Sequence, residues 1–186
     1  MRHATTLAVF TSLLVAGCAS TPKESAPAAP TAQSTAQEGT ANLAAASGSL
    51  VSGRVTFHPM GDGVHLSGTI GGFQPNSVHG IHVHEKGDCS AADASSAGGH
   101  FNPANSAHGR AGTATHHAGD MDNVTAGADG TVQLNIHLAG VTLGGGAPND
   151  IAGRALVVHA AADDYTSQPA GNSGARVACG VIQATQ

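Results

Sequence analysis

Tryptophan is absent from this sequence, tyrosine occurs once and phenylalanine four times, so any core must be built mainly from aliphatic side chains. Charge is scarce as well. Only 10% of residues are Asp, Glu, Lys or Arg, and the formal net charge is −5, which excludes the basic footprint of a nucleic-acid-binding surface. Residues 7–15 form an apolar stretch, but one too short to span a bilayer as a mature helix. No long helical period is present either. Val, Thr, Ile and 26 glycines favour short strands and long loops instead. What the chain does have is histidine: 12 of its 186 residues, more than packing alone explains, which points to metal.

The first residues read as a targeting segment. Arg2 gives a positive start, and the apolar stretch ends in Leu14-Val15-Ala16-Gly17-Cys18, which resembles the lipobox of bacterial lipoproteins. The resemblance implies a signal peptide at 1–17, cleavage before Cys18 and lipid on the Cys18 sulfur. The mature protein is then expected in the bacterial periplasm, anchored to the membrane. Three cysteines is an odd number, and Cys18 is the one left over. Residues 18–48 are rich in Ala, Pro, Ser, Thr and Gln and are expected to form a disordered tether, since they can bury too little surface to offset their ordering entropy. The folded domain is expected at 49–186.

Within that domain apolar and polar residues alternate. Val51, Val55 and Phe57 share one face, as do Val64, Leu66 and Ile70, and then Val132, Leu134, Ile136 and Leu138. Residues 154–159 and 176–182 complete the set. Such alternation predicts an all-β sandwich or barrel of antiparallel strands. His58, His65 and His137 fall on the polar faces and read as solvated surface histidines. His82-Val83-His84 is different. Side chains two apart on a strand point the same way, so Ile81 and Val83 would face the core while two imidazoles stand together on the other side, ready for a metal that favours nitrogen.

Between 87 and 123 the alternation stops, in a long run of Gly, Ser, Ala, Asn and Asp. Loops of this length are usually functional or disordered, and a metal can organise one that lacks a core. His100, His108, His117 and Asp120 make a three-nitrogen, one-oxygen set suited to tetrahedral zinc in a closed, structural site. His116 and His117 are adjacent, and spacing alone does not choose between them. Further on, Leu156-Val157-Val158-His159 ends a buried strand in a histidine, and residues 163–175 form a second loop.

At this point the residues resemble a family. Gly80-Ile81-His82-Val83-His84-Glu85, Gly99-His100-Phe101-Asn102-Pro103, His117-Ala118-Gly119-Asp120, Leu156-Val157-Val158-His159 and Arg176-Val177-Ala178-Cys179-Gly180-Val181 together look like copper/zinc superoxide dismutase, over roughly residues 49–186. Asp164-Tyr165-Thr166-Ser167-Gln168-Pro169 looks like its bacterial, exported branch. The resemblance implies an eight-stranded antiparallel Greek-key β-barrel with two long loops, and dismutation of superoxide to dioxygen and hydrogen peroxide as copper cycles between Cu(II) and Cu(I). It implies copper on His82, His84, His100 and His159, and zinc on His100, His108, His117 and Asp120, with His100 bridging the two. Asp163 would hydrogen-bond one histidine of each metal, and Arg176 would guide the superoxide anion. Cys89 and Cys179 would form a disulfide, closing a loop of about 90 residues for roughly 4–5 kcal/mol in the chain-entropy model. Monomer and homodimer are both consistent with the resemblance. One departure stands out: the second loop has no lysine, and Thr166 sits where the bacterial branch commonly carries one. The competing function is a periplasmic copper/zinc-binding lipoprotein of the same fold without turnover.

Overall fold

The computed structural model describes Met1 and residues 32–185. The remainder of the expected signal peptide, Cys18 and the tether as far as residue 31 lie outside the described residues. Among the described residues ten strands form: β1 (Glu38–Ala45), β2 (Ser52–Met60), β3 (Gly63–Gly71), β4 (Val78–His79), β5 (Ile81–His84), β6 (Val124–Thr125), β7 (Val132–Ala139), β8 (Ala155–His159), β9 (Arg176–Val181) and β10 (Gln183–Thr185). Eight make one sheet in the order β5-β8-β9-β1-β2-β3-β7, with β10 also beside β1; β4 pairs with β6. Every pairing between these strands is antiparallel. Among the neighbours out of chain order, β3 with β7, β5 with β8 and β9 with β1 are joined by the long crossovers of a Greek key.

The alternation read from the sequence sets which face is buried. Val55 and Phe57 of β2, Val64, Leu66 and Ile70 of β3, and Leu134 and Leu138 of β7 share one core with Ile81 and Val83 of β5, Leu156 and Val158 of β8, and Ala178 of β9. The two ends of the sheet therefore curl over the same apolar interior. Burying each large side chain there contributes about 2 kcal/mol. β8 is buried on both faces, because Ala155 and Val157 pack into a smaller cluster with Ala94, Ala97 and Cys179 on the opposite side. Gly61 supplies the positive φ of 61° at the first position of the two-residue turn joining β2 to β3.

The fold begins earlier than residue 49. β1 lies in the stretch read as tether, pairing along Glu38–Thr40 with β10, along Gly39–Leu43 with β2 and at Ala44–Ala45 with β9. Its small residues give little apolar signal, since only Ala41 and Leu43 enter the main core. What orders β1 is backbone pairing on both edges, which joins the two halves of the sheet.

Candidate metal centre

His82 and His84 project from the outer face of β5, since Ile81 and Val83 occupy the core. β5 ends the sheet, and an end strand leaves a row of backbone groups to be satisfied. The 86–123 segment satisfies them. Val83 N–H donates to Gly119 O at 2.9 Å, Phe101 N–H to Val83 O at 2.8 Å and Glu85 N–H to Gly99 O at 2.9 Å. His84 thereby lies opposite His100, and His82 opposite Asp120. The segment is better anchored than its composition suggests: Phe101 and Met121 reach the main core, and a disulfide joins Cys89 to Cys179 of β9.

His159 arrives from the end of β8, where the ladder with β9 shifts register between Val158 and His159; such a bulge re-aims a side chain. The result is two buried donor sets. His82, His84, His100 and His159 form one, and His100, His108, His117 and Asp120 form the other, each with its donor atoms within 4.8 Å of one another. His100 belongs to both. Its Nδ1 lies 2.7 Å from Asp120 Oδ1, while its Nε2 is buried without a hydrogen-bond partner. Spacing left His116 and His117 undecided, and the structure places His117 in the set, with Nδ1 3.3 Å from Asp120 Oδ1. His116 instead donates from Nδ1 to His117 O at 2.7 Å.

Asp163 ties the two sets together. Its Oδ2 accepts from His82 Nε2 at 2.7 Å and its Oδ1 from His108 Nε2 at 3.0 Å. Each ring is thereby left with a bare Nδ1 turned inward, since a neutral imidazole has one donor and one acceptor. His84 is oriented through Nδ1 by Gly98 O at 3.0 Å, leaving Nε2 for the centre, 3.3 Å from His159 Nε2.

These residues fit a pair of metal ions. His82 Nδ1, His100 Nε2, His108 Nδ1 and His117 Nδ1 are all buried without a hydrogen-bond partner, an arrangement that native interiors otherwise avoid. Burial lowers His82 to about 4 and His159 to about 3, and pushes His84 and His117 down too, so these rings are neutral and able to ligate. Burial works to raise the carboxyls of Asp120 and Asp163, but ring and backbone hydrogen bonds hold both below the usual range. Buried carboxylates among neutral rings call for a cation. A four-nitrogen set suits copper, and a three-nitrogen, one-oxygen set suits zinc.

Arg176 stands at the rim, opposite His159 in the β8–β9 ladder. Its Nη1 donates to Ala94 O at 2.7 Å and its Nη2 to Gly98 O at 2.6 Å.

Several positioning residues were not legible in the sequence. His79 is buried and donates from Nδ1 to His159 O at 2.8 Å, while its Nε2 lies 2.6 Å from Ser77 Oγ. Asn123 exchanges hydrogen bonds with the Asp163 backbone, and Gln168 with that of His108, so the two loops clasp each other. Gly171 closes the clasp. Its φ is +67°, and a Cβ there would fall 1.8 Å from Asp163 Oδ1 and 2.7 Å from His108 Nε2. A glycine that admits a backbone to a site shows itself only once both loops are in place.

Comparison with known proteins agrees with this geometry. The family model for copper/zinc superoxide dismutase matches residues 51–182. The superoxide dismutase-like protein YojM of Bacillus subtilis is 41% identical over 122 residues, which cover 64% of this chain. The match spans 61% of that relative's own length. Among solved structures, a SOD-like protein from Bacillus subtilis superposes with a TM-score of 0.69 at 37% identity, covering 76% of this chain and 95% of that one. The clock protein EA4 gives a TM-score of 0.72 at 37% identity, covering 83% and 98%.

Proposed function

This chain belongs to the copper/zinc superoxide dismutase family, and on that premise we propose that it converts two superoxide anions and two protons into dioxygen and hydrogen peroxide. The observation that carries the reading is the place of His100 in both donor sets. Copper held by His82, His84, His100 and His159 would supply reversible one-electron exchange with superoxide, and zinc held by His100, His108, His117 and Asp120 would fix the shared ring. The chain's own groups do the rest. Arg176 attracts the anion: two of its N–H groups are tied to carbonyls, and the others remain for a substrate oxygen. His100 Nε2, buried and otherwise unpartnered, is the atom that takes up a proton and passes it to the reduced substrate. Asp163 and Gly98 O keep His82, His108 and His84 in the tautomers that face the centre.

Superoxide removal by metal-loaded protein, measured beside a His159→Ala variant, tests this. Fast removal that the substitution abolishes is the expected result. The names given to the Bacillus subtilis matches, "superoxide dismutase-like" and "SOD-like", favour a second reading, a non-catalytic copper/zinc-binding protein. Tight metal binding with no acceleration of superoxide loss would establish that reading instead. Periplasmic export and anchoring through lipid on Cys18 belong to the same proposal, supported by the Leu14-Val15-Ala16-Gly17-Cys18 run. Incorporation of labelled fatty acid that survives Cys18→Ala would refute the anchor.

A further inference from the structure

The three histidines assigned to the solvated surface turn out to form one row. His58 lies opposite His65 across β2 and β3, and His65 lies opposite His137 across β3 and β7. Their chain neighbours Phe57, Val64, Leu66 and Leu138 point into the core, so all three side chains share the outer face of the sheet. The row is remote from the buried centre. β5 sends Ile81 and Val83 into that core from the other half of the sheet, with His82 and His84 on its far side.

Residues directly opposed in an antiparallel pair have Cβ atoms about 5 Å apart. Three imidazoles in line at that spacing can meet at one ion when the middle ring binds close to the sheet and the outer two lean over it. Their donor atoms are not gathered within 4.8 Å of one another as those of the two buried sets are, so binding requires the outer rings to swing toward the middle one. The middle ring has an unused donor atom: His65 Nδ1 is shielded from solvent and has no hydrogen-bond partner. A carboxylate stands at each end of the row, with Glu38 Oε2 3.9 Å from His58 Nε2 and Asp62 Oδ1 accepting from His137 Nε2 at 2.8 Å. The adjoining rows, Thr56-Ser67-Asn135 on one side and Met60-Gly63-Ala139 on the other, carry no positive charge to repel a cation.

We propose that His58, His65 and His137, flanked by Glu38 and Asp62, form a surface site for a borderline divalent metal ion such as Zn(II) or Cu(II), separate from the buried centre. Imidazole suits both ions. The outer rings would leave their exposed carboxylate partners to bind, or bring those carboxylates with them as further ligands.

Equilibrium dialysis of the full chain against Zn(II), after its buried sites have been given copper and zinc, tests the site. Bound zinc is counted per chain in the wild type, in His65→Gln and in the double variant His58→Gln/His137→Gln. The wild type is expected to hold one more zinc than either variant, or to hold it at least about tenfold more tightly, since loss of a mere supporting contact already weakens a metal site by that much. The readout is a difference between variants, so it stands whether or not the buried centre is filled or active. Ring ¹⁵N shifts of His58, His65 and His137 are expected to move together as zinc is added. Equal zinc uptake in all three proteins, or extra zinc that leaves these three rings unshifted, would overturn the proposal.

Discussion

His84 and Arg176 donate to one acceptor, the carbonyl of Gly98, from Nδ1 at 3.0 Å and from Nη2 at 2.6 Å. A single peptide of the first loop thus sets both the tautomer of a ring in the four-nitrogen set and the position of the guanidinium at its rim. The same loop is held to β9 through Cys89 and Cys179, and β9 starts at Arg176. The four-nitrogen set and the Arg176 guanidinium are therefore fixed to each other through the loop and the strand at once.

Arg176→Lys is expected to lower superoxide removal by about 10-fold or more. A lysine keeps the charge but cannot span both Ala94 O and Gly98 O, and charge-assisted hydrogen bonds contribute about 1.5–3 kcal/mol each. Rates measured with the metal content matched to wild type check this, and a variant as fast as wild type would exclude Arg176 as the guide.

Asp163→Asn is expected to weaken metal retention by about 10–100-fold without removing a ligand. An amide cannot accept from both His82 and His108 as the carboxylate does, so at least one ring loses its orientation. The measurement is the rate at which a chelator strips metal from the variant. Retention equal to wild type would show that the two rings are held by other contacts.

Metal-free protein is expected to lose stability as the pH falls. Burial lowers His82 from 6.5 to about 4 and His159 from 6.5 to about 3, so between those values the unfolded chain binds more protons than the folded one. Stability then rises with pH. This contribution is fully present above about pH 6.5 and is lost, by about 1.4 kcal/mol per pH unit for each ring, as the pH drops toward 4 and then 3. Denaturant midpoints of the chelator-treated protein at a series of pH values provide the check, and a midpoint unchanged from pH 7.5 to 4.5 would contradict it.

Thr166→Lys is expected to raise the rate of superoxide removal at low ionic strength and leave it unchanged at high. Thr166 is exposed on the second loop, and a cation there adds long-range attraction that salt screens over about 10 Å. A rate unchanged under both conditions would mean that Arg176 alone supplies the steering.

Much of the fold was legible because burial there follows strict alternation. Val64, Leu66 and Ile70 of β3 read correctly from a two-residue period alone. β1 was missed because its order comes from neighbours up to 147 residues away, as in the bond from Thr185 Oγ1 to Glu38 O, and no local pattern encodes that. The first loop looked empty of core residues because Phe101 and Met121 lie too far apart to make a period, although both are buried.

The sequence by itself determined that His82 and His84 share a face, that the chain is all-β and that its histidines exceed the needs of packing. All of these follow from composition and from a backbone geometry that repeats every two residues. Only the tertiary structure decided that His79 holds His159 from 80 residues away, that Gly171 must lack a side chain, and that three surface histidines stand in one row. Each of these depends on which strands and loops become neighbours. Pairing between distant segments is settled by the closing of the whole sheet around its core, so no short stretch of residues contains it.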